Sequence, residues 1–248
     1  MCTALICRRS DHRWPVLFAA NRDEMIDRPC HPPGRHWPDR PNVVAGLDDL
    51  AGGSWLGMND EGMIAGILNR MGTLGPLAGK RSRGELVLEA LDHADAVDAA
   101  KALVDLDPTA YRPFNMVIAD SRDAFWLRAD GESLTAIPLD EGFSMITAFE
   151  LNDPTDARIR TFLPQFSAAP APDPDEGDWH AWQRLLASRA PRDATERDAG
   201  LTFQLENGFG TRSSALIALP SVDHPEIDPV FLFAPGPPDE AHYRPVLL

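Results

Sequence analysis

Cys2-Thr3-Ala4-Leu5-Ile6-Cys7-Arg8 and, after a short break, Val16-Leu17-Phe18-Ala19-Ala20-Asn21-Arg22-Asp23-Glu24 are the stretches on which the fold reading turns. The first is apolar and rich in β-compatible residues. Ser10-Asp11-His12 is turn chemistry, and Val16 to Ala20 is apolar again, so the start reads as a β-hairpin. Its second strand ends in four consecutive polar residues. Alternation along a strand puts Asn21 and Asp23 on one face, and Arg22 and Glu24 on the other.

Outward from there, Met25 to Asn42 carries Pro29, Pro32, Pro33, Pro38 and Pro41 and reads as an irregular loop. A second hairpin is expected over Gly53 to Asn59 and Met63 to Asn69, turning at Asp60-Glu61-Gly62. Between Ser82 and Leu106 apolar residues recur at helical spacing, which predicts two helices. Strands return at Phe114–Ala119, Ala124–Arg128, Leu134–Pro138 and Phe143–Phe149. A helix is expected over Pro154–Phe166, capped by Asn152 or Asp153, and another over Asp178–Ala190. Strands near Ser213–Leu219 and Val230–Phe233 close the chain. This order lacks βαβ alternation and suits two antiparallel sheets with outer helices in an α+β fold. No composition shift marks a boundary, so residues 1–248 read as a single domain.

The 248 residues include 44% hydrophobic and 25% charged residues, as expected of a globular chain. Lys+Arg is 23 against Asp+Glu 38, a net charge of -15. That balance argues against nucleic acid or anionic lipid as the main partner, since both need a basic footprint. No apolar run reaches the length of a membrane span, so no membrane insertion is expected. The residues before Arg8-Arg9 are too few for a signal-peptide core, and a cytoplasmic location is expected. Nothing in the sequence sets an oligomeric state.

The three cysteines, Cys2, Cys7 and Cys30, form no disulfide framework and no zinc-ligand spacing. Cys2 stands out by position. A small residue after the initiator usually allows Met1 to be removed. Cys2 would then carry its own α-amine, with a reference pKa of about 7.7–8.0. A thiol beside its own base is an activated nucleophile. The plainer alternative is a cysteine in a buried first strand. A carboxylate from Asp23 is placed to reach that amine if the hairpin pairs the two regions.

Met1-Cys2-Thr3-Ala4-Leu5-Ile6 and Asn21-Arg22-Asp23-Glu24 resemble the NRDE family, also called the transport and Golgi organisation type 2 family. Gly52-Gly53-Ser54-Trp55-Leu56-Gly57-Met58-Asn59, continuing to Asn69, and Asn207-Gly208-Phe209-Gly210-Thr211-Arg212-Ser213-Ser214 match two further family blocks, in family order. The family is similar to cysteine-type N-terminal-nucleophile hydrolases, the group of penicillin V acylases and bile salt hydrolases. The resemblance implies a four-layer α/β/β/α sandwich and hydrolysis of a small-molecule carbon–nitrogen amide through a Cys2 thioester. It implies a catalytic set of Cys2 as nucleophile, Asp23 near its amine, Asn69 as an oxyanion donor and Arg212 near the thiol. Asn21, Arg22, Trp55 and Asn59 are the residues expected to bind substrate. No metal is expected.

Two positions depart from the hydrolase pattern. Ala20 stands where an arginine is expected three residues before the aspartate, with Arg22 out of register. Ala148 stands where a second asparagine is expected, with Asn152 nearby. Both departures favour a binding role over hydrolysis. The family's alternative role is non-catalytic haem binding and trafficking in the same cleft, with no built-in cofactor and haem as the bound ligand. Its candidate ligands are Cys2, Cys7, Cys30, His31 and His36. Trp14, Trp37 and Trp55 either line a cleft or pack in the core.

Overall fold

The computed structural model describes residues 2–190 and 200–248. Met1, which a small second residue usually allows to be removed, lies outside the described residues. In chain order the strands are β1 (Thr3–Arg8), β2 (Val16–Met25), β3 (Cys30–Gly34), β4 (Val43–Asp48), β5 (Leu56–Asn59), β6 (Ile64–Asn69), β7 (Phe114–Ala119), β8 (Ala124–Ala129), β9 (Leu134–Pro138), β10 (Gly142–Ile146), β11 (Phe209–Leu219), β12 (Val230–Ala234) and β13 (Arg244–Pro245). The helices are α1 (Gly84–Leu91), α2 (Ala96–Val104), α3 (Ala157–Ala168) and α4 (His180–Leu186), with a 3-10 turn at Pro108–Ala110. The chain divides into two compact units, Met1–Arg28 with Asp140–Val246, and Pro29–Leu139 with Leu247–Leu248.

The first unit is a six-stranded sheet ordered β10-β1-β2-β11-β12-β13, every neighbour antiparallel. β2 lies between β1 and β11 and runs on through Met25, so Asn21-Arg22-Asp23-Glu24 sits inside a strand rather than ending one. One sheet face presents Leu5, Cys7, Leu17, Ala19, Met145, Leu216 and Ala218 to Ile159, Phe162 and Phe166 of α3 and Trp182 and Leu186 of α4. Trp14 is buried in the same core.

The second unit is a seven-stranded antiparallel sheet in sequential order from β3 to β9. α1 and α2 cover one face, against Val43, Ala45, Met63, Ala65, Met116, Ile118 and Leu127. In the Gly52–Gly57 block, Gly53 and Gly57 answer to close packing, while Gly52 turns with φ 71. A Cβ on Gly53 would lie 2.4 Å from the carbonyl carbon of Gly84 in α1, and one on Gly46 would lie 2.3 Å from the Trp55 ring. Ser54 ties the turn by accepting from its neighbour Leu56 N–H at 3.2 Å.

Several expectations are corrected. Residues 25–42 are not wholly irregular, because Cys30–Gly34 pairs with β4. Its prolines are tolerated because β3 is an edge strand with a register shift between His31 and Gly34. α3 starts three residues later than expected and is capped by Asp156, whose carboxylate accepts from Arg158 N–H. Asp153 instead closes a local turn by accepting from Thr155, and Asn152 has φ 55. α4 is shorter than the Asp178–Ala190 helix read from the sequence, and β13 had no sequence signal.

Gly53→Ala tests the packing of the glycine block. Main chain cannot yield as a side-chain tip does, so we expect a loss of about 1–3 kcal/mol. It reads as a lower urea midpoint with an unchanged slope.

Candidate active site

β1 and β2 pair with Thr3 opposite Asn21. One step further, Cys2 falls opposite Arg22, and alternation gives those two the sheet face away from α3 and α4. The Cys2 thiol meets the main chain of Asp23. Asp23 N–H donates to Sγ at 3.3 Å, and the thiol donates to the Asp23 carbonyl at 3.4 Å. Burial pushes the Cys2 thiol above its ordinary value and the Asp23 carboxylate adds to the rise, while Arg22 pulls it down. The folded chain therefore favours a protonated Cys2.

The Asp23 side chain lies on the helix face. Its Oδ2 accepts from Arg158 Nη1 at 3.1 Å, and its Oδ1 accepts from the Thr211 hydroxyl at 2.8 Å. Both side chains of the ion pair are sealed, at 0% exposure for Asp23 and 1% for Arg158. Arg158 also donates to Thr3 Oγ1 at 3.3 Å and lies over the Phe203 ring, 4.9 Å from its centroid. A second buried carboxylate supports the helix end that carries it, since Asp156 accepts from Thr147 Oγ1 at 2.5 Å. Breaking such a pair from one side leaves an uncompensated charge in the core.

Arg158 and Thr211 were missed in the sequence. Arg158 falls on the apolar stripe of α3 with Ile159, Phe162 and Phe166. An arginine on a buried stripe was the available signal. Thr211 belongs to the block from which Arg212 was chosen. In the structure Thr211 pairs with Asp23 and Ser213 with Arg22, so Arg212 is the extra residue of a β-bulge. Arg212 donates to Gln204 Oε1, and its Nε is buried without a hydrogen-bond partner among the described residues.

The remaining expected residues have these places. Asn21 is buried and its Nδ2 donates to the carbonyls of Leu186 and Leu201 at 3.0 and 2.8 Å, tying β2 to the end of α4. Asn59, Trp55 and Asn69 belong to the second unit. Asn59 Nδ2 donates to the carbonyls of Leu91 and His93, and its Oδ1 accepts from Met63 N–H, so its bonds all secure its own hairpin and the end of α1. Asn69 ends β6 opposite Phe114, and its side chain makes no hydrogen bond among the described residues. Asn152 accepts from Met145 N–H at 2.7 Å and so supports the edge of β10, while Ala148 is buried.

Of the expected haem ligands, Cys7 is excluded from solvent in the helix-facing core, with its thiol pushed up by burial. Cys30 is exposed on β3 beside His31, which lies 3.2 Å from Asp49. The His31 and His36 rings are 5.8 Å apart. Among the described residues, no three His, Cys, Asp or Glu side chains converge as a metal site.

The fold has solved counterparts. It is similar to a Caenorhabditis elegans N-acylethanolamine-hydrolyzing acid amidase ortholog, with TM-score 0.56, 13% identity, and 87% and 92% of the two chains covered. It is similar to penicillin V acylase from Agrobacterium tumefaciens, with TM-score 0.56, 16% identity and coverage of 94% and 83%. A C2A mutant of conjugated bile acid hydrolase from Clostridium perfringens matches with TM-score 0.52, 11% identity and coverage of 100% and 97%. These are N-terminal-nucleophile hydrolase sandwiches, and the likeness gives this chain that α+β fold. The pattern of the Transport and Golgi organisation 2 family matches residues 1–224, and the chain belongs to that family. No curated protein matches the sequence significantly.

Two measurements follow from the site. Arg158→Met strands the Asp23 carboxylate and is expected to cost about 3–5 kcal/mol. Combined with Asp23→Asn it is expected to cost less than the two losses summed, in a urea-unfolding double-mutant cycle. Iodoacetamide at neutral pH should label Cys30 first and Cys2 slowly, with Cys7 reacting only on unfolding. Cys2 labelling should accelerate as pH climbs past the ordinary thiol range, because the thiolate is the reactive form.

Proposed function

We propose that the protein is a cysteine amidohydrolase acting on a small molecule, with Cys2 as nucleophile after removal of Met1. The observation that carries this reading is the seat of Cys2. Its sulfur rests on the Asp23 main chain at the start of β1, while the Asp23 carboxylate is locked between Arg158 and Thr211. A thiol held neutral needs a base at hand, and the released α-amine of the same residue supplies one.

The α-amine takes the Cys2 thiol proton as sulfur attacks the amide carbon, giving a tetrahedral oxyanion. The ammonium then donates that proton to the leaving nitrogen, the carbon–nitrogen bond breaks and a thioester remains. Water attacks the thioester, its proton passing to the amine and then to the departing thiolate, which releases the acid. Asp23 orients the amine, and Arg22 offers positive charge on the sulfur's side of the sheet.

Two roles come from family resemblance alone. These are Asn69 as an oxyanion donor, a type of contact worth about 3–4 kcal/mol of barrier, and Arg212 as a tuning charge. Residues 1–248 act as one functional domain in the cytoplasm on a small-molecule partner.

A second reading is haem binding, favoured by the exposed Cys30-His31 pair with His36 close to it. A haemin titration is expected to shift the Soret band, and the shift should be lost in Cys30→Ala and His31→Ala. A shift that survives both variants sinks this reading.

The hydrolase reading is tested by intact mass and turnover. Purified protein is expected to lack Met1, to hydrolyse a member of an acyl-amide panel, and to accumulate an acyl adduct on Cys2. Rate should rise with pH as the amine loses its proton, at about pH 8. Cys2→Ala is expected to abolish turnover with the fold intact. Retention of Met1 in active protein would overturn the mechanism.

A further inference from the structure

We propose that Arg158 is a positioning residue of the Cys2 site, setting the base strength of the Cys2 α-amine by cancelling the charge of Asp23. The inference rests on the hydrolase reading and adds a residue that acts through Asp23. One atom carries the geometry. Arg158 Nη1 donates to Asp23 Oδ2 at 3.1 Å and to Thr3 Oγ1 at 3.3 Å, and Thr3 is the residue next to Cys2. The guanidinium therefore lies between the start of β1 and the carboxylate assigned to orient the amine. α3 delivers it there. Asp156 caps the helix by accepting from Arg158 N–H at 2.8 Å, and is itself held by Thr147, which follows the strand paired with β1.

A carboxylate left alone beside an amine works against catalysis. An opposite charge within about 4–6 Å favours the charged form and moves a pKa by about 1–3. From a reference of about 7.7–8.0, roughly a tenth of the amine is neutral at pH 7, and a rise of about two leaves roughly a thousandth. Only the neutral amine can take the thiol proton. Burial pushes the Cys2 thiol up and the Asp23 carboxylate pushes it further, so the field of Asp23 reaches this residue. A guanidinium in contact with that carboxylate cancels most of the field and leaves the oxygens in place to orient the amine. Both side chains are sealed, at 0% and 1% exposure, so mobile salt cannot screen the carboxylate in its stead. Among the described residues the other charged groups close by are Arg22 on the sulfur's side of the sheet, Glu24, 3.7 Å from Arg28, Asp156 at the helix cap, and Arg212, which donates to Gln204.

The test titrates the amine directly, by NMR of the full chain carrying isotope-labelled cysteine, with loss of Met1 checked by intact mass. The amine is expected to titrate at about pH 8 in wild type, lower in Asp23→Asn, and higher by about 1 or more in Arg158→Gln. In the double variant, where two neutral amides replace the ion pair, it should return close to the wild-type value. The acidic limb of kcat/KM on an acyl-amide substrate should move to higher pH in Arg158→Gln and be restored in Arg158→Lys. A residue that only holds α3 in place would lower stability without moving either titration. The proposal is overturned if the amine of folded protein titrates at the same pH with and without Arg158, or moves the other way. Wild type alone can also overturn it, by an amine that titrates above about pH 9, which would mean an uncancelled Asp23. Retained Met1 overturns the hydrolase reading and this inference together, since it leaves Cys2 no amine. A mature, active chain whose amine ignores Arg158 overturns this inference alone.

Discussion

The buried pair of Asp23 and Arg158 is the constraint around which the first unit is arranged. It joins a residue of a central strand to one on a helix 135 positions later. Neither side chain reaches solvent, and each makes a further hydrogen bond, Asp23 with Thr211 and Arg158 with Thr3. Mutual attraction repays the desolvation of two ions only when geometry is good and such extra bonds are present. The requirement fixes where α3 begins, which explains the second buried carboxylate, Asp156, at that helix end. It also fixes the phase of β11, because Thr211 must face Asp23 while Ser213 faces Arg22.

How much was legible in the sequence divides along physical lines. Local signals worked: the β1–β2 hairpin, the β5–β6 turn and the helices between Ser82 and Leu106 follow from turn residues and periodicity. β3 was lost because prolines read as loop, and only an edge position makes them tolerable in a strand. At the site, Cys2 and Asp23 were legible from position and motif, and the structure brings them together through the main chain. Arg158 was missed: its place among the apolar residues of α3 was a signal, but the carboxylate it meets lies 135 positions earlier and is known only from the fold. Arg212 drew attention as the charged member of its block, while the bulge gives the contact with Asp23 to the uncharged Thr211.

The comparisons and the site speak to different matters. Solved hydrolases at 11–16% identity share the sandwich fold. At that distance they say nothing of this chain's chemistry, because function lives in the site and one fold hosts many. The expected arginine at position 20 is an alanine, yet Asp23 has an arginine all the same, delivered from α3. A gap at one sequence position is thus not a gap in the charge environment of the aspartate.

The Cys2 thiol and the Asp23 carboxylate lie on opposite faces of one sheet, and the thiol's hydrogen bonds go to the Asp23 main chain. The thiol and the ion pair that holds the unit together are therefore separate sets of atoms. Descendants of such a chain can lose or exchange the thiol without dismantling the ion pair beneath it. The architecture would keep no trace of such a change.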